Sequence, residues 1–128
     1  MDDKELVALA VQARGNAYAP YSHYEVGAAL LAGSGRVYTG CNVENSSFGL
    51  TICAERTAAV KAISEGEREF VAVAVVTADG GTPCGACRQV LAEFGPTMRV
   101  VIADTAGNCK THSLPELLPN AFALLRTP

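Results

Sequence analysis

The sequence predicts an α/β fold in which helices cover both faces of a sheet, and three observations carry that expectation. A helix is followed by a hairpin signal and then by helix, strand, helix and strand, the alternation that builds βαβ units. The run Phe70–Thr77 is unbroken and apolar, with four valines, as expected of a strand buried on both faces. The run Arg99–Ala103 is a second strand of that kind.

Taken in order, the first helix runs from Asp2 to about Ala17. Asp2 and Glu5 have capping-pair spacing, and Leu6, Leu9, Ala10 and Ala13 mark one apolar face. Gly15 weakens its end and Pro20 forbids continuation. Val26–Leu31 and Arg36–Cys41 are β-prone and joined by Ala32-Gly33-Ser34-Gly35, a hairpin. Asn42–Leu50 is polar and turn-like. A second helix covers Cys53 to about Ser64, with Ala58, Ala59 and Ile63 for packing and Gly66 beyond its end. After the Phe70–Thr77 strand comes the loop Asp79-Gly80-Gly81, and Pro83 opens a third helix, Cys84–Phe94. Gly95-Pro96 closes it. Cys109, after Gly107-Asn108, reads as an exposed turn residue, and Leu114–Pro119 as at most a short helix.

At 128 residues the chain is expected to be one domain with a substantial core. A formal net charge of −3 argues against nucleic acid or anionic membrane as partner. No apolar run reaches the roughly 18 residues of a membrane span, and the start shows no signal-peptide pattern. A cytoplasmic protein is therefore expected, with reduced thiols. Five cysteines, an odd number, fit no disulfide framework.

Two motifs carry chemistry. Cys53-Ala54-Glu55-Arg56 and Pro83-Cys84-Gly85-Ala86-Cys87-Arg88 both fall at helix starts, where unpaired N–H groups and the helix dipole favour thiolate over thiol. If they meet, Cys53, Cys84 and Cys87 offer three ligands to one Zn²⁺ and leave a fourth position for water, the pattern of a catalytic site. Glu55 is placed to move protons on and off that water. Three thiolates would leave the cluster at −1, a poor charge for acidifying water. Arg56, beside the first ligand, is the candidate to offset it.

Other readings of these residues stand beside this one. Cys84-Gly85-Ala86-Cys87 alone also fits a thioredoxin-like redox pair. Cys53 alone is a small buried apolar residue, and Glu55 alone a first-turn acid. A structural zinc would need a fourth ligand from Cys41, Cys109, His23 or His112, none of which has ligand-like spacing.

The two motifs resemble those of zinc deaminases, an acid two residues after the first ligand and then Pro-Cys-x-x-Cys. Cys53 stands where nucleic-acid-acting members carry histidine. More of the chain is similar to the small tetrameric cytidine deaminases: Tyr18-Ala19-Pro20-Tyr21-Ser22 with Val26-Gly27-Ala28-Ala29-Leu30, Gly40-Cys41-Asn42-Val43-Glu44-Asn45, and Leu117-Leu118-Pro119-Asn120-Ala121-Phe122. The resemblance implies a three-layer α/β/α sandwich around a mixed five-stranded sheet. It also implies a homotetramer whose active sites are completed across subunit boundaries.

The activity it implies is hydrolysis of cytidine and 2′-deoxycytidine to uridine and 2′-deoxyuridine, with release of ammonia, in pyrimidine salvage. By the same resemblance, Asn42 and Glu44 hold the ribose hydroxyls and the Ala54 N–H holds the pyrimidine O2. Tyr24, where relatives often carry Phe, lies against the pyrimidine, and Phe122 reaches it from a neighbouring subunit. Glu55 takes a proton from water, gives it to N3 and later to the leaving amine. A deaminase of antibiotic nucleosides is disfavoured by the Asn42/Glu44 pair. A nucleic-acid deaminase is disfavoured by charge, ligand set and length.

Overall fold

The computed structural model describes residues 1–125. Helix α1 spans Asp3–Arg14, with Asp2 as N-cap: the Glu5 N–H donates to Asp2 Oδ1 at 2.8 Å and the Glu5 side chain returns to the Asp2 N–H, the reciprocal box read from the sequence. The helix ends at Arg14, short of Ala17, because Tyr18 is drawn into a bridge with Val43. Strands β1 (Gly27–Ala32) and β2 (Val37–Cys41) form the expected hairpin, followed by a 3-10 turn at Phe48–Leu50. Then come α2 (Ala54–Ser64), β3 (Phe70–Thr77), α3 (Gly85–Phe94), β4 (Arg99–Asp104), β5 (Cys109–Ser113) and α4 (Leu114–Leu117).

The five strands make one mixed sheet in the order β2-β1-β3-β4-β5. β1 runs antiparallel to β2 and β3, β3 and β4 are parallel, and β5 returns antiparallel to β4. Strand alternation divides the core into two layers. Leu6 and Ala10 of α1 pack with Ala29, Ala72, Ala74, Val76, Val101 and Ala103 on one face. Ala58, Ala59 and Ala62 of α2 and Leu91 of α3 pack with Leu30, Val73, Val75, Val100 and Ile102 on the other. β3 is thus covered on both sides, which explains its unbroken apolar run.

Two glycines set how closely the helices approach. A Cβ at Gly27 would enter the carbonyl of Ala10 in α1. At Gly40 it would lie 2.5 Å from Ala54 O and 2.6 Å from Ala58 N, against the first turns of α2. The small side of β2 therefore seats the start of the helix that carries Cys53 and Glu55.

Residues 109–113 correct the turn reading of Cys109. They form an edge strand whose residues are exposed or half-buried. Pairing with β4 makes this strand; Cys-Lys-Thr-His-Ser has no buried face to announce it. Among the described residues no helix is long and apolar enough to cross a membrane.

Candidate active site

The site lies where α2 and α3 begin. Cys53 is the N-cap of α2 and Cys84 the N-cap of α3, and the Cys84 sulfur accepts from the Cys87 N–H at 3.5 Å. The parallel β3–α3–β4 unit brings the start of α3 beside that of α2. As a result the Sγ atoms of Cys53, Cys84 and Cys87 all lie within 4.8 Å of one another. Cys53 and Cys84 sulfurs are 3.9 Å apart, Cys84 and Cys87 sulfurs 3.4 Å. Tetrahedral bonds of about 2.3 Å to zinc place sulfurs roughly 3.8 Å apart. A disulfide needs about 2.05 Å, and all five cysteines are free. The donor set fits a zinc ion held by three sulfurs.

Charge supports the same conclusion. The Cys87 thiol donates to Cys53 and pulls Cys53 down to about 5 against the cost of burial, with Arg56 assisting. Cys87 itself is pushed upward, first by that same hydrogen bond and then by burial. From sequence, both helix starts are expected to favour thiolate; without a cation that holds at Cys53, whereas at Cys87 the hydrogen bond and burial outweigh it. Three sulfurs this close can all be thiolates only around a cation.

Glu55, in the first turn of α2, is 4% exposed and is pushed up to about 7, chiefly by burial. Such a carboxyl can hold or release a proton near neutrality, the property required of an acid–base group. The Arg56 Nη2 donates to Cys53 Sγ at 3.5 Å and to the Thr51 carbonyl at 3.3 Å. Its Nε is buried without a hydrogen-bond partner. That geometry keeps its positive charge against the sulfur cluster, and the hydrogen bond to Cys53 strengthens its hold on its proton.

A cavity of about 250 Å³ opens onto this cluster, and Tyr24, Asn42, Glu44, Cys53, Ala54 and Glu55 are among the residues that line it. Asn42 and Glu44 are buried, not the solvated loop pair their polarity suggests. Asn42 Oδ1 accepts from the Val26 N–H at 2.9 Å and its Nδ2 donates to the Tyr24 carbonyl at 2.7 Å, leaving one amide hydrogen free. Glu44 Oε1 accepts from the N–H groups of Tyr21 and Ser22, and Oε2 from the Ser22 hydroxyl. The Ser22 hydroxyl is the main reason Glu44 sits below the usual carboxylate range. Glu44 is thus an ionised acceptor with capacity left on Oε2.

Phe122 does not join this cavity within its own chain. It is 65% exposed, and its carbonyl accepts from Gln89 Nε2 at 2.9 Å. Residues that sequence reasoning passed over are Ser22, Thr77 and Thr82, which also line the cavity. Only Ser22, inside a quoted block, carried any signal. Larger hollows lie along β5, about 520 Å³, and under the C-terminal segment, about 580 Å³. Neither is lined by Cys53, Cys84, Cys87 or Glu55.

Residues 1–104 match the cytidine and deoxycytidylate deaminase zinc-binding region. The chain is 50% identical over 126 residues to a cytidine deaminase of Sporosarcina psychrophila, covering 96% of this chain and 93% of that one. It is 52% identical over 125 residues to a cytidine deaminase of Halalkalibacterium halodurans, covering 95% of each. Among solved structures, the cytidine deaminase of Burkholderia pseudomallei superposes with a TM-score of 0.91 at 50% identity, over 95% of this chain and all of that one. That of Mycobacterium tuberculosis gives 0.84 at 44% identity, over 97% of this chain and 99% of that one.

Proposed function

The chain belongs to the cytidine deaminase family, and from that premise we propose that it hydrolyses cytidine and 2′-deoxycytidine to the uracil nucleosides and ammonia. The observation that carries this reading is a buried carboxyl near neutral pKa beside a three-sulfur zinc site, facing one cavity.

Cys53, Cys84 and Cys87 would hold a zinc ion, which when bound would supply the Lewis acidity that makes water nucleophilic near neutral pH. Glu55 takes a proton from the attacking water and delivers it to N3 of the cytosine as the water oxygen bonds to C4. The carboxylate so regenerated then takes the remaining proton from the new C4 hydroxyl and gives it to the amine, so that the C4–O bond becomes a carbonyl as the carbon–nitrogen bond breaks and ammonia leaves. Arg56 offsets the excess negative charge of three thiolates. The Ala54 N–H, in the first turn of α2, holds the pyrimidine O2. Asn42, with its spare amide hydrogen, and Glu44, with its spare lone pairs, take the ribose hydroxyls, and a sugar lacking both hydroxyls would leave that hydrogen and those lone pairs buried without a partner. Tyr24 forms the wall against the base.

The chain works as a single catalytic domain, and as a homotetramer in the cytoplasm, in pyrimidine salvage. Support for assembly comes from the exposed apolar side chains of Phe122, Leu124 and Leu125 and of Tyr18, Tyr21, Phe48, Leu50 and Ile52, of which Tyr21 and Phe48 meet edge to face; exposed apolar surface of this kind marks interfaces. Phe122 of one subunit closes the cavity of another. The test is loss of cytidine absorbance with stoichiometric ammonia release by the zinc-loaded protein, abolished by chelation and restored by zinc. A zinc-loaded chain that releases no ammonia from cytidine refutes the proposal.

A further inference from the structure

The Tyr24 hydroxyl donates to Asp79 Oδ1 at 2.6 Å, across 55 positions of sequence. Asp79 is the second residue of the loop from β3 to α3, which ends in Pro83 and Cys84. The same Asp79 oxygen accepts from the Thr77 hydroxyl at 3.1 Å. Thr77 in turn accepts from the N–H groups of Gly80 and Gly81, each at 2.8 Å. Gly81 passes directly beneath the phenol, since a Cβ there would lie 2.8 Å from the Tyr24 oxygen.

On its other side, Tyr24 is fastened to the sugar-side residues. Its N–H donates to Ser22 Oγ at 3.0 Å, and Ser22 donates to Glu44. Its carbonyl accepts from Asn42. His23, between them, sits at φ 57°, a left-handed conformation that non-glycine residues adopt at a cost. One chain of hydrogen bonds therefore runs from Glu44 through Ser22, Tyr24, Asp79 and Thr77 to the loop that delivers Cys84.

We propose that the Tyr24 hydroxyl is a positioning group that ties the sugar-side wall of the cavity to the Cys84 loop and so presets the shape that receives the nucleoside. This rests on the nucleoside reading above. The hydroxyl has one proton and commits it to Asp79, so it has none to give to base or sugar. Burial first, and then the hydrogen bond to Asp79, raise its pKa and keep the proton in place. Its contribution is to order the aromatic wall and the loop before substrate arrives.

The test is a mutant cycle with two readouts. Tyr24→Phe keeps the ring and removes the latch; Asp79→Ala removes the acceptor; Asp79→Asn keeps an Oδ1 acceptor. Each of the first two raises KM for cytidine about two- to tenfold, the equivalent of ordering one side chain, with kcat within about twofold of wild type. The double variant is no worse than either single one, and Asp79→Asn stays near wild type. Amide exchange at Gly80 and Gly81 accelerates in Tyr24→Phe and Asp79→Ala, with and without zinc. Unchanged KM in Tyr24→Phe, effects that multiply in the double variant, or unchanged exchange each overturn the latch. A wild-type chain that releases no ammonia from cytidine overturns the nucleoside reading instead, and the exchange comparison still decides the latch.

Discussion

Glu55→Gln separates catalytic need from stability, because the feature that fits Glu55 for proton transfer also burdens the fold. The carboxyl moves from an ordinary 4.5 in the unfolded chain to about 7 in the metal-free fold, chiefly through burial. A group whose pKa is raised by folding favours the fold at low pH. That contribution is complete below about 4.5 and is lost as pH rises through about 7. Each tenfold is worth about 1.4 kcal/mol, so the penalty for the ionised carboxylate grows to about 3 kcal/mol by pH 8, and most of it appears between pH 5 and pH 8.

Glutamine has the same shape and no titration. Its burial cost is the same at both pH values, so the informative quantity is the change with pH in the stability difference between variant and wild type. Urea denaturation of chelated, reduced protein should show the variant gaining roughly 2–3 kcal/mol on wild type between pH 5 and pH 8, a shift of midpoint near 1–2 M at ordinary urea slopes. Zinc-loaded, the same variant should lose on the order of 10²-fold or more in turnover while retaining its metal. A stability difference that is flat with pH refutes burial as the cause of the raised pKa, and near-normal turnover refutes Glu55 as the proton carrier.

Other substitutions probe the supports of the site. Arg56→Gln removes the cation 3.5 Å from the Cys53 sulfur and should lower zinc affinity about 10- to 100-fold in chelator competition; unchanged affinity and unchanged rate would remove the charge-offset role. Gly40→Ala pushes a methyl toward Ala54 O and Ala58 N and should cost about 1–3 kcal/mol of overpacking, read as a lower melting temperature in the metal-free chain, and an unaltered one would mean that α2 can move away freely. Phe122→Ala should raise KM for cytidine and weaken assembly in a sizing experiment, whereas no change in either would make Phe122 an ordinary exposed residue.

What the sequence disclosed follows from how local each determinant is. Cys53, Glu55, Cys84 and Cys87 lie within four residues of a helix start, where capping signals and chemical spacing coincide, so the motif and its position could be read together. The core strands were legible because β3 is apolar on both faces. β5 was not, since an edge strand of Cys, Lys, Thr, His and Ser exists only through its partner β4. The burial of Asn42 and Glu44 was equally hidden: both are polar, and their enclosure depends on hydrogen bonds to Val26, Tyr24, Tyr21 and Ser22.

The Tyr24–Asp79 contact shows why this division is physical. Helix caps and metal motifs involve neighbours in sequence, so composition records them. A hydroxyl meeting a carboxylate 55 positions away is specified by the sheet that sets β1 beside β3, and by the turn at His23 that aims the ring. The chemical residues fall in two motifs of fixed internal spacing, each readable where it stands, whereas residues that hold the cavity's shape come singly from wherever the fold brings chain segments together. The shape of a nucleoside cavity is therefore the part of such a site least recoverable from sequence alone, and it is where related chains with the same sulfurs and the same acid can differ in substrate preference.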